Sequence, residues 1–339
     1  FVLTGPSEQA LDQAVAGLDE NWAVDDIHTI TIDQALIGET FCSGLPPNTE
    51  DTTSGATYVI RLYSYESTRN EQTSDYEPSL SMVLEAINAA INADPALEGV
   101  SADPNLVTGS PDYPVGSTVT WDFAPAKGDS DFEEQWAFDS IALPAPDPES
   151  DGANVDVYVL DTAPEFPNEQ IIQAETELPG KTVVVGQGVP VEAVTWPTNM
   201  ALAKVSHAWE FAPLGSFAGK SSGGLGHHGL FAAAMVHGVA PASDIELVRV
   251  LGSDTRGNMY TLILGFYDIL YQRHINETTT PAVINMSLGI RIPPPKAEFE
   301  LPTVGLEALQ MLVRIANCQG VVVVAASGNN SIELFPPEL

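Results

Sequence analysis

Residues 154–166 read NVDVYVLDTAPEF: a short, nearly continuous apolar run that stops on Asp161 and passes at once into turn chemistry at Thr162-Ala163-Pro164. A strand can be apolar on both faces only where helices cover both sides, which is the condition of a parallel sheet. The same grammar returns in KTVVV (181–185), DIELVRV (244–250), AVINMSL (282–288) and GVVVVAA (320–326). Between the last three lie MYTLILGFYDILYQR (259–273) and VGLEALQMLVRIANCQ (304–319), where apolar residues recur at spacings of three and four, as on a helix. Strands alternating with helices predict an α/β domain with a doubly wound, mainly parallel sheet over residues 151–339. Residues 186–224 lack a period and read as a long irregular insertion. No internal repeat appears.

Upstream the pattern differs. FVLTG (1–5), IHTITID (27–33) and TYVIRLYSY (57–65) read as strands, the latter two by alternation, and GVSADPNLV (99–107) as a returning last strand. PSEQALDQAVAGL (6–18) and SLSMVLEAINAAINADPAL (79–97) read as helices. The order β-α-β-β-α-β is that of a small ferredoxin-like α+β domain over residues 1–108. Residues 109–150, rich in Pro, Gly, Asp and Ser, read as an exposed acidic linker leading into the next domain.

Charge separates the same two regions. The whole chain carries 46 acidic and 12 basic side chains, a net of −34. Residues 1–150 hold 27 acidic and 3 basic side chains, and residues 151–339 hold 19 and 9. So acidic a surface argues against nucleic acid or an anionic membrane as partner. No apolar span approaches the roughly twenty residues a membrane helix needs. The first residue is Phe1 rather than methionine, so a removed signal segment is expected upstream. Cys42 and Cys318 fall in different regions, so no disulfide framework is indicated, and Cys318 is expected to pack as a small apolar residue at a helix end.

Open parallel sheets bind ligands at the carboxyl ends of their strands. The residues found there are Asp161, the Gly-Gln-Gly of 186–188, Ser287 and the Ser-Gly-Asn of 327–329. Gly186 to Gly188 lack the third glycine of a dinucleotide fingerprint, and no phosphate loop occurs. Residues 226–241, GHHGLFAAAMVHGVAP, hold three of six histidines. They lack the H-E-x-x-H spacing of a zinc helix, so a metal role for His227, His228 or His237 is not supported. His228, opening an Ala-rich apolar helix, has better company. Acyl transfer needs a base, an anion that fixes the base's tautomer and a donor for the oxyanion, and His228, Asp161 and Asn329 can fill those three roles.

With these residues in place, the region of residues 154–331 resembles the subtilisin-like serine peptidases, the subtilases. VDVYVLDTAPEF is similar to their aspartate segment, HHGLFAAAMVHGVAP to their histidine segment and VVVVAASGNN to the segment of their oxyanion-hole asparagine. The resemblance implies that Asp161 orients and charges the histidine, His228 is the general base and Asn329 stabilises the oxyanion. It also implies that the backbone of Ser287, Leu288 and Gly289, in INMSLG, pairs with an extended substrate. The order Asp before His agrees with that family. Ala163 replaces the usual glycine, Leu230-Phe231 replace the usual Thr-His, and the nucleophile segment GTSMAAP does not occur in these 339 residues. The fragment alone is therefore expected to be inactive.

On this resemblance the full product is a secreted serine endopeptidase acting on polypeptides. Residues 1–108 would be its propeptide, an intramolecular inhibitor and chaperone, cleaved somewhere between Gly109 and Gln135. Catalysis requires no cofactor. Subtilases often bind structural calcium, yet the sequence has no D-x-D-x-D-G loop and names no ligand. The competing reading is a non-catalytic subtilase-like peptide-binding module, motivated by the missing serine and the Leu230-Phe231 pair. A third, a metal-dependent hydrolase using His227 and His228, would carry stoichiometric zinc. A fragment lacking later helices is expected to expose apolar sheet surface and to aggregate.

Overall fold

A computed structural model describes residues 1–16, 18, 22–32, 58–67, 80–109, 147, 150–162, 202–207, 228–251, 256–290 and 306–326. The chain forms two compact units, one of residues 1–106 with 292–319 and one of residues 107–291 with 320–339.

In the first unit the order is β1 (Val2–Gly5), α1 (Glu8–Ala16), β2 (Trp22–Ile32), β3 (Tyr58–Ser67), α2 (Leu80–Ala93) and β4 (Ser101–Asp103). The strands form one antiparallel sheet in the order β2-β3-β1-β4. Its core gathers Leu3, Leu11, Val59, Leu84, Ile87 and Leu97, each at most 2% exposed. Leu84 and Ile87 are three residues apart on α2, the spacing that keeps two side chains on one helical face. A polar exception ties α1 to β3: Arg61, buried on the core face, donates to Glu8 and to Asp12, each at 2.6 Å. Glu8 and Asp12 are one helical turn apart, so a single guanidinium reaches both. α5 (Glu307–Cys318) also belongs to this unit, with Ala308, Met311, Leu312 and Ile315 buried along one face. Its last residue, Cys318, is disulfide-bonded, which corrects the expectation of simple apolar packing there.

The second unit is built on a five-stranded sheet in the order β12-β10-β6-β8-β7, every neighbouring pair parallel. The strands are β6 (Asp156–Thr162), β7 (Leu202–His207), β8 (Asp244–Leu251), β10 (Ala282–Met286) and β12 (Val321–Ala325). Four of them are apolar runs read from the sequence. KTVVV lies outside the described residues. β7 was not foreseen: LAKVSH mixes polar and apolar residues, and an edge strand has no need of a continuous apolar run.

Helices lie on both faces. Leu247 and Asp161 approach Gly229 of α3 (His228–Val239), whereas Asp156, of opposite parity on β6, bonds Arg273 of α4 (Met259–Ile275) at 2.6 Å. Because side chains alternate along a strand, α3 and α4 cover opposite faces. The Asp156 carboxylate also accepts from Thr280 Oγ1 at 2.5 Å, locking the turn from α4 into β10 against the start of β6.

Three short strands also belong to this unit: β5 (Val107–Gly109), β9 (Arg256–Asn258) and β11 (Gly289–Ile290), antiparallel in the order β11-β5-β9. The expected single strand over 99–107 is thus two, β4 and β5, in different sheets. Among the described residues no helix is long and apolar enough to cross a membrane.

Candidate active site

In a parallel sheet all carboxyl ends lie at one edge. β6 ends there with Asp161-Thr162, β10 with Met286 followed by Ser287, and β12 with Ala325, two residues short of Ser327. α3 runs back from the same edge, which brings its first residue, His228, to the end of β6.

Asp161 is fully buried, and its Oδ1 accepts from the backbone N–H of Thr162 at 2.6 Å. The ladder to β8 slips at this point: Asp161 pairs with Arg249, but Thr162 pairs with Leu251. Such an irregularity re-aims the side chains beside it. The freed Thr162 hydroxyl then accepts from the N–H of Gly229 at 2.9 Å, satisfying one of the orphan donors at the start of α3. The approach is close. A Cβ on Gly229 would lie 2.0 Å from the Thr162 carbonyl oxygen and 2.8 Å from Asp161 Cβ, so only glycine lets this helix start so near the strand end. The structure therefore brings the backbones at 161 and 228 together through the residues beside them. The imidazole of His228 and all of Asn329 lie outside the described atoms.

Ser287 and Leu288 follow β10 directly, Leu288 buried and the Ser287 hydroxyl accepting from Asn285 Nδ2 at 3.0 Å. A bond from the N–H of Ala326 to the Met286 carbonyl, 3.1 Å, holds the ends of β10 and β12 in step. Gly289 enters β11, and opposite it lies Gly109, with Thr108 opposite Ile290. On its other side β5 pairs Val107 with Asn258, Thr108 with Gly257 and Gly109 with Arg256. An extended segment of the chain, β5, is thus the middle strand of a three-stranded antiparallel sheet, between β9 and β11. β9 is fixed in turn by Asn258, whose Oδ1 caps α4 by accepting from the N–H of Thr261 at 2.9 Å.

Sequence reasoning passed over three parts of this edge. The Thr162 hydroxyl carried no signal of its own, because a threonine after a strand is ordinary. Arg249 did carry one, a cation inside an apolar run; it is buried, stands beside Asp161 in the ladder, and its Nε donates to the Leu251 carbonyl at 3.4 Å. The flanking strands β9 and β11 are too short for any period. His237 is inside the last turn of α3, where burial pushes its pKa below the usual histidine value. His227 lies outside the described residues. Among those described, no group of three or more His, Cys, Asp or Glu side chains could hold a metal ion.

The second unit is thus a parallel α/β sheet with a buried carboxylate, Asp161, and the start of a helix headed by His228 at its carboxyl edge. Residues 204–337 match the Subtilase family, a span that contains His228, Ser287 to Gly289 and Asn329. A stretch of 105 residues is 36% identical to the subtilisin-like protease PopC of Myxococcus xanthus (strain DK1622), covering 29% of this chain and 22% of that protein. The chain thus spans under a quarter of the relative it matches, and the likeness to the Subtilase family covers residues 204–337.

Proposed function

We propose that the full gene product is a secreted serine endopeptidase that hydrolyses polypeptides through an acyl-enzyme, made with residues 1–108 as its ferredoxin-like propeptide. The observation that carries this reading is β5. Residues 107–109 follow the last strand of the first unit in sequence and lie antiparallel between β9 and β11, with Gly109 opposite Gly289, the last of the Ser287-Leu288-Gly289 segment. That is how a peptide is held when main-chain hydrogen bonds supply the grip. Here the occupant is the chain itself, residues 107–109, which in this reading fill the groove until a cut between Gly109 and Gln135 releases them.

In the proposed mechanism a serine from a segment outside these 339 residues attacks the scissile carbonyl while His228 takes its proton. His228 then gives that proton to the leaving amine, and water hydrolyses the ester by the same route. Asp161, buried and fixed by the Thr162 N–H, orients the imidazole and offsets its charge, and the Asn329 amide donates to the oxyanion. No step calls for a metal or cofactor, and no structural calcium ligand is assigned.

The full-length product is expected to be labelled by an active-site-directed phosphonate, and His228→Ala to reduce labelling and turnover by about 10³-fold or more. Labelling that survives this substitution would sink the peptidase reading. A folded full-length product that never labels would leave the peptide-binding module in its place.

A further inference from the structure

Cys318 is disulfide-bonded, and a single chain with two cysteines offers it one partner, Cys42, which itself lies outside the described residues. The two cysteines stand on opposite sides of the segment 109–135, where the proposed cut falls. Cys318 is the last residue of α5, an element held at both its face and its end. The buried face, with Met311, Leu312 and Ile315, belongs to the same compact unit as residues 1–106. The end is fixed by a bond from the N–H of Gln319 to the Ile315 carbonyl, 3.0 Å, and by Gly320, whose φ of 72° turns the chain directly into β12. The cross-link is therefore made to a piece of chain that lies beyond the cut and leads straight into the parallel sheet.

We propose that a Cys42–Cys318 disulfide tethers residues 1–108 to the rest of the chain, so that the cut leaves the N-terminal unit attached and its departure requires reduction as well. The inference rests on the reading of residues 1–108 as a propeptide, since the bond would govern the removal of that unit. Hydrolysis between Gly109 and Gln135 breaks one covalent route from residue 42 to residue 318, and the disulfide is the other. While it holds, a unit that undocks stays at an effective concentration of about millimolar and docks again, whatever the dilution. Reduction takes two electrons from an external dithiol. One thiolate of the dithiol attacks a sulfur of the bond, and the other cysteine leaves and takes up a proton. The second thiolate then closes the dithiol's own disulfide and frees the first cysteine, so the products are two cysteine thiols and the oxidised dithiol. Cys318 is half-buried rather than sealed, within reach of such a reagent.

A recognition site for a sequence-specific endopeptidase, inserted between Gly109 and Gln135 of the whole chain, lets the cut be made at will. Denaturing electrophoresis of the cut protein should show one species without reductant and two with dithiothreitol, while Cys42→Ser should show two in both. Under native conditions, gel filtration after dilution of about 1,000-fold should find the N-terminal fragment released about tenfold more, or better, with dithiothreitol than without. That arm uses protein folded with the bond in place, so it holds even where Cys42→Ser fails to fold. Two species without reductant, a cross-link between two chains, or release that dithiothreitol does not change would overturn the proposal. No readout needs a nucleophile. A tether that persists in a product that never labels with phosphonate sinks only the peptidase reading, and a labelled product that sheds its N-terminal fragment without reductant sinks only the tether.

Discussion

Gly229 bears more of the site's geometry than its neighbours suggest. Its missing side chain allows the end of β6 and the start of α3 to touch, and its N–H is held by Thr162. Gly229→Ala places a carbon 2.0 Å from the Thr162 carbonyl oxygen, a distance no flexible side chain can relieve. The variant is expected to lose about 3 kcal/mol or more of stability, as overpacking against backbone does, with a thermal melt as the readout. An unchanged melting temperature would mean that α3 does not start where described. At this scale the sequence was informative where chemistry names a residue type: Asp161 and His228 stood out as a carboxylate at a strand end and an imidazole at a helix start. It was silent on Thr162, and the cation inside the β8 run, Arg249, was passed over, because the parts of both depend on a neighbour in another strand or helix.

Elements were legible in proportion to how much of their stability is local. β6, β8, β10 and β12 were read from apolar runs, and α4 and α5 from helical spacing, because burial on a regular face imprints a period. β5, β9 and β11 have two or three residues each, and their partners lie far apart in the chain, so no local pattern could reveal them. β7 failed to show because an edge strand tolerates Lys204 and Ser206 in its run. In the first unit the link between α1 and β3 is equally non-local. Arg61→Ala removes a buried guanidinium with its packing and both of its carboxylate partners. Since Glu8 and Asp12 are more than half exposed and can rehydrate, the expected loss is about 1–3 kcal/mol rather than that of a fully buried pair. Chemical denaturation followed by far-UV circular dichroism would measure it, and a neutral result would show the pairs to be surface ornament.

At the scale of the molecule, a net charge of −34 over 339 residues works against compaction through self-repulsion. Screening shortens its reach to about 10 Å at 0.1 M salt. The melting temperature should therefore rise by several degrees between low ionic strength and about 0.5 M sodium chloride, and a fall would place the dominant surface electrostatics in favourable pairs instead. The step in acidity near residue 150 does not mark the division, which falls after Leu106, and the units do not follow chain order. Residues 292–319, between β11 and β12 of the second unit, cluster with the first. A composition profile reads along the chain and cannot see a segment that crosses over.

The covalent bond at Cys318 reaches beyond the folded state to the place where folding happens. The chain has two cysteines, and Cys318 is already oxidised in the native form. Such a cross-link forms and persists in an oxidising compartment and is undone in a thiol-rich cytosol. The polypeptide made in a bacterial periplasm and the one made in a reducing cytoplasm would therefore be different covalent species, and only the first would carry the cross-link at the end of α5.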